Sequence, residues 1–130
     1  MAADTRPSHR FPPAMNAETE LQTLIATMKP SLHAQPYVFC SIDEVVFARL
    51  PFIPLGTFHE PEGVTIIATR EQASDSGLEF DMSWACVTLE VRSSLMAVGF
   101  LALITARLAR TGISVKPVSA FQHDQLFVPW

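Results

Sequence analysis

The chain has 130 residues, 48% of them hydrophobic and 17% charged. That mix is too apolar and too weakly charged for a disordered protein, and the length suits one compact domain or two very small ones. Nine Lys and Arg against thirteen Asp and Glu give a net charge of −4 without a basic cluster, which argues against binding nucleic acid or an anionic membrane.

Residues 1–16 are polar and broken by Pro7, Pro12 and Pro13. They read as a disordered tail with no apolar stretch of the kind a secretory signal needs. Over residues 17–28, Leu21, Leu24, Ile25 and Met28 recur at three- and four-residue spacing, one apolar stripe of a helix. Asn16 supplies the N-cap, Glu18 and Glu20 suit the first turn, and Pro30 ends the helix.

Residues 37–42 combine aromatic and β-branched side chains between Pro36 and Asp43, the signature of a strand. The stretch 45–57 holds Pro51, Pro54 and Gly56, so no long regular element is expected there. Residues 58–60 and 63–69 flank Pro61-Glu62 in the pattern of a hairpin. Residues 70–78 read as a short helical turn closed by Gly77.

The last third is more regular. Residues 84–91 form a strand, and Ser93 or Ser94 caps a helix over 95–110 that Gly112 ends. Its apolar run over 95–104 is ten residues long, about half of what a bilayer requires. Such a helix is buried on more than one face, under a second layer or a subunit interface. Residues 113–120 form a strand in which Pro117 marks an edge or a bulge, and residues 125–128 pair with it across residues 121–124. The fold class is α+β: a ferredoxin-like antiparallel sheet with helices on one face. The expected division is a tail over 1–16, an N-terminal half over 17–80 and a C-terminal half over 81–130.

Cys40 and Cys86 both lie in apolar strand-like runs, as free buried thiols do in a reducing compartment, so a cytoplasmic location is expected. His9, His33, His59, His123 and the two cysteines show no metal-ligand spacing. No phosphate or dinucleotide loop can be built from five glycines so placed. No cofactor is therefore expected. Asp43-Glu44 and His59-Glu60 read as solvated turn groups.

The segment Arg92-Ser-Ser-Leu-Met-Ala-Val-Gly-Phe100 resembles the strand-to-helix junction of an ACT domain, a small regulatory module that binds amino acids. Gly112-Ile-Ser-Val115, His123-Asp-Gln-Leu-Phe-Val-Pro129, Tyr37-Val-Phe-Cys-Ser41, Glu62-Gly-Val-Thr-Ile66 and Arg70-Glu-Gln72 extend the resemblance. Together they are similar to a family of small two-ACT-like proteins, with the longer CASTOR-type arginine sensors as distant relatives. The likeness runs from about Glu20 to Pro129. A complete ACT unit is βαββαβ and the family continues after the Val-Pro step, so the C-terminal repeat here is expected to lack its second helix. The N-terminal helix and the strand at 37–42, or a partner chain, would complete it.

The resemblance implies a homodimer that binds an amino-acid-like ligand where two units meet. Free N–H groups at the helix start, with the hydroxyls of Ser93 and Ser94 beside Leu95, suit a carboxylate; the plainer role of either serine is to cap its own helix. Gly99 costs about 1 kcal/mol relative to Ala inside a helix, so a close approach or tight packing is expected to offset it. Asp124 matches a ligand-contacting Asp of the arginine sensors, and its carboxylate suits an ammonium or guanidinium; as a bland alternative it is a turn residue. His123 beside it is the one weak catalytic candidate, for an isomerase- or cyclase-type enzyme using the same pocket. A docking subunit built on the helix over 95–110 and Trp130 is the third alternative.

Overall fold

The computed structural model describes residues 28–90 and 97–130. In chain order these form β1 (Lys29–Leu32), β2 (Tyr37–Ile42), α1 (Glu44–Ala48), β3 (Gly56–Glu60), β4 (Gly63–Thr69), α2 (Arg70–Asp75), β5 (Trp84–Glu90), α3 (Ala97–Arg110), β6 (Lys116–Ser119) and β7 (Asp124–Pro129). All seven strands join one antiparallel sheet in the order β3-β4-β2-β5-β7-β6, with β1 also paired to β5.

Strand alternation assigns the faces. Tyr37 lies opposite Trp84 in the register, so those two side chains share a face and Val38, Cys40, Val87 and Leu89 share the other. All three helices cover that second face. Phe47 of α1 and Ala73 of α2 pack over Val38, Cys40, Val64, Ile66 and Ala68. Phe100, Leu101, Ile104 and Leu108 of α3 pack over Leu89 and Leu126. On the other face, helix-free among the described residues, Ile67, Trp84, Cys86 and Phe127 bury one another, with Tyr37, Phe39 and Val118 at their margin. The sheet is curled toward this face. Lys116 on β6 brings its ammonium to 5.0 Å from the Phe39 ring centroid on β2, although β7 and β5 lie between those strands.

The strand that flanks β5 is β1, a segment the sequence leaves without an element. Pro30, two residues after the expected helix, is a residue of this strand, opposite Leu89. It is tolerated there because the outer side of β1 carries no partner strand among the described residues. Residues 29–32 run along the C-terminal half of β5, His33 N–H donates to the Cys86 carbonyl at 3.0 Å, and the chain then peels away to pair with β4. The expected completing strand, at 37–42, meets β5 only at Tyr37. β1 therefore gives the C-terminal βαββ run its fourth strand.

Two local motifs explain residues that the sequence singles out. Gly63 closes the β3–β4 hairpin at φ +153°, where a Cβ would stand 2.8 Å from the Ile42 carbonyl oxygen; only glycine fits that approach. Gln72 belongs to a capping box at the start of α2. Its backbone N–H donates to the Thr69 hydroxyl at 3.1 Å, and its side-chain oxygen accepts from Thr69 N–H at 3.0 Å. The proline-rich stretch does begin with regular structure, since Asp43 caps α1 by accepting from Val46 N–H at 2.8 Å. Glu44 is solvent-exposed in the first turn of α1, with its carboxylate 3.1 Å from His59 Nδ1.

Candidate functional site

A groove of about 540 Å³ opens on the helix-covered side of the sheet, between α3 and the β6–β7 hairpin. Its size lies within the range of small-molecule sites. The register dictates which hairpin side chains reach it. Leu126 packs under α3, so Asp124, two residues earlier, points to the same face; so do Pro117 and Ser119, paired with Leu126 and Asp124. Ala120 completes that wall, and Leu101, Ala102 and Thr105 supply the helix wall.

Among the described residues α3 is only partly seated beside this groove. Phe100 is its one buried residue among those described, while Leu101, Ile104 and Leu108 are half-buried and Ala102 is exposed. The Thr105 hydroxyl donates back to the Leu101 carbonyl at 3.0 Å, so its proton is already engaged by its own helix. The lining is therefore mainly apolar, with a half-buried carboxylate at one end and no cationic residue among the described lining residues.

Of the residues expected to form a site, Asp124 lines this groove. His123 beside it is exposed, and its carbonyl accepts from Ala120 N–H at 3.1 Å in the hairpin turn. Gly99 is exposed on α3, one position before the buried Phe100, and is not among the groove's lining residues. Ser93, Ser94 and Leu95 lie outside the described residues, as do the expected tail and nearly all of the expected helix over 17–28. Met28, the last residue of that stretch, packs with the cluster under α3.

A second concavity of about 410 Å³ lies between Gln35, Pro36 and the α2 residues Arg70, Glu71 and Ser74. Its one cation is held by the protein itself. The Arg70 guanidinium donates to Ser83 Oγ at 3.1 Å and lies 5.8 Å from the Phe80 ring centroid.

On the helix-free face a polar relay crosses three strands. Thr88 Oγ1 donates to Gln125 Oε1 at 2.6 Å, and the Cys86 thiol donates to the same oxygen at 3.5 Å. With its proton so used, Thr88 accepts from His33 Nε2–H at 2.8 Å, which leaves His33 Nδ1 to accept from the Tyr37 hydroxyl at 3.4 Å. Burial pushes the Cys86 thiol up to about 11 and also raises Cys40. Tyr37 is raised by burial and then by Cys86. These groups stay protonated at neutral pH, so the buried cysteines are poor nucleophiles. No group of three or more His, Cys, Asp or Glu side chains among the described residues is placed to hold a metal. No helix among them is long and apolar enough to cross a membrane.

The family model of the ACT domain matches residues 16–85. The chain belongs to the ACT domain family. Its antiparallel sheet with helices on one face is the α+β, ferredoxin-like architecture expected of that family. A solved structure of a Vibrio cholerae protein is 36% identical, with 87% of each chain covered and a TM-score of 0.77. That protein is described as of unknown function and as a possible transport protein. No curated protein matches the chain. The ACT match ends within β5, so the groove residues from Leu101 to Asp124 lie beyond it.

Proposed function

We propose that this ACT protein is a small regulatory module that binds an amino acid or similar metabolite in the groove between α3 and the β6–β7 hairpin. The observation that carries the reading is one carboxylate, Asp124, in a mainly apolar groove of ligand size. An ammonium group pairs with Asp124 in a charge-assisted hydrogen bond while the ligand's body lies along Leu101, Ala102 and Pro117. The module acts as a homodimer in the cytoplasm, and a ligand that prefers one arrangement of the two copies shifts the population toward it.

A thermal-shift panel of the twenty amino acids tests this on wild type and on Asp124→Asn. A ligand at one hundred times its dissociation constant stabilises by about 2.7 kcal/mol, a rise in Tm that the panel detects. The expected result is a hit on wild type that is lost or much weakened in Asp124→Asn. A panel without any hit, or an equal shift in both proteins, contradicts the reading.

A further inference from the structure

Two of the three polar side chains that line the Asp124 groove among the described residues can only accept hydrogen bonds. Asp124 is a carboxylate. Thr105 has spent its one proton on its own helix: the hydroxyl lies 3.0 Å from the Leu101 carbonyl and 3.1 Å from that of Ala102. Whichever of the two it bonds, lone pairs are what its oxygen has left. Ser119, exposed on β6, carries a hydroxyl that can accept as well as donate. Pro117 has no N–H to offer, and Leu101, Ala102 and Ala120 present methyl groups.

Such a set matches a donor. A primary ammonium carries three N–H groups and a positive charge, so it can pair with Asp124 and still donate to a hydroxyl oxygen. A carboxylate carries only lone pairs and a negative charge. Beside Asp124 it meets like charge, and at Thr105 it meets an oxygen whose proton is in use. The apolar walls lower the local dielectric and make that mismatch count for more than it would in water. An amino acid seated by its ammonium therefore turns its carboxylate away from Asp124, toward solvent.

We infer that the groove reads the ammonium and the apolar body of its ligand and leaves the carboxylate unread, so that aliphatic and arylalkyl primary amines are ligands in their own right. Thr105 is the second recognition residue, through its oxygen. An amino acid and its decarboxylated amine then compete for one site. This rests on the proposed binding role of the groove and names the chemical class it takes.

Calorimetric titration of the full chain with matched compounds tests it. One set is leucine, 3-methylbutylamine and 4-methylpentanoate; the other is phenylalanine, 2-phenylethylamine and 3-phenylpropanoate. Each set holds the apolar body and varies the charged groups. The expected result is that at least one amine binds within about tenfold of its parent amino acid, or more tightly, and that neither acid competes with it. Asp124→Asn should weaken that amine by about tenfold or more, and Thr105→Val, which keeps the branched shape, by about threefold, with circular dichroism unchanged. Thr105→Ser, which keeps the oxygen, should bind as wild type does. An acid that binds as tightly as its amine overturns the inference, as does an amine affinity that neither Asp124→Asn nor Thr105→Val moves. Amines that fail to bind, while an amino acid among the twenty does bind, overturn it and leave the proposed function standing. A chain that binds no amine and no amino acid overturns both.

Discussion

The two helix-covered regions of this sheet are finished differently. Under α1 and α2, Val38, Cys40, Val64, Ile66, Ala68 and Ala73 are buried to 2% exposure or less. Under α3, among the described residues, only Leu89, Phe100 and Leu126 are buried, and these residues leave the space beside the helix open as the groove at Asp124. One alanine in each region makes the contrast concrete. Ala73 of α2 is sealed against β2 and β4, whereas Ala102 of α3 is exposed at the groove wall. A small helical residue lies in close packing in one region and at an open groove in the other. The lesson is that a groove opens where the described helix stops short of closing its own core.

The largest expected effect falls on Phe100, the residue of α3 that is buried among those described. Phe100→Ala should cost about 3–5 kcal/mol in chemical denaturation, as a buried aromatic replaced by alanine does. A loss below 1 kcal/mol would mean that α3 is held by something other than Phe100. Overpacking sharpens the comparison directly. Ala73→Leu should cost about 1–3 kcal/mol, because the closed half has no space for three more carbons. Ala102→Leu should stay within about 0.5 kcal/mol of wild type, as surface substitutions do. Equal costs at both positions would erase the distinction between the two regions.

Much of the closed half is legible in the sequence. The run at 37–42 is bounded by Pro36 and Asp43, and the short helical turn expected over 70–78 holds α2. β1 is not legible, because Lys-Pro-Ser-Leu shows no burial alternation and exists as a strand only through its pairing with a segment more than fifty residues later. α1 is hidden for a different reason. Val45 and Val46 suggest a strand, and the five-residue helix depends on the Asp43 cap and on Phe47 docking into the core. In the groove, Asp124 is visible through the family resemblance, as the carboxylate just before the expected last strand. Leu101, Ala102 and Thr105 are not, since helical periodicity cannot say which hairpin residues will face them. The relay from His33 through Thr88 to Gln125 is equally hidden: its members meet only through strand order.

Smaller effects test the edges of the comparison. Thr69→Ala removes one arm of the α2 capping box and should cost about 1 kcal/mol, measurable as a shift of the denaturation midpoint. At neutral pH the smallest effect is that of the buried thiols. The Cys86 thiol titrates at about 11 in the folded chain against an ordinary value of 9.0, so between those values the folded state holds a proton that the unfolded state has lost. Its contribution is therefore complete below pH 9 and falls away as pH rises toward 11. Burial of Cys40 acts in the same direction. Denaturation midpoints measured from pH 7 to 11 should be less pH-sensitive above pH 9 in Cys86→Ala than in wild type.

The most direct test of the groove as the binding site is to plug it. Ala102→Trp fills the helix wall from an exposed position, and calorimetric titration then measures the amino acid that most stabilises the wild-type chain. The plugged protein should keep its unliganded Tm and lose at least tenfold in affinity, which corresponds to about 1.4 kcal/mol. Undiminished affinity in a folded Ala102→Trp protein would place the ligand elsewhere and contradict the account.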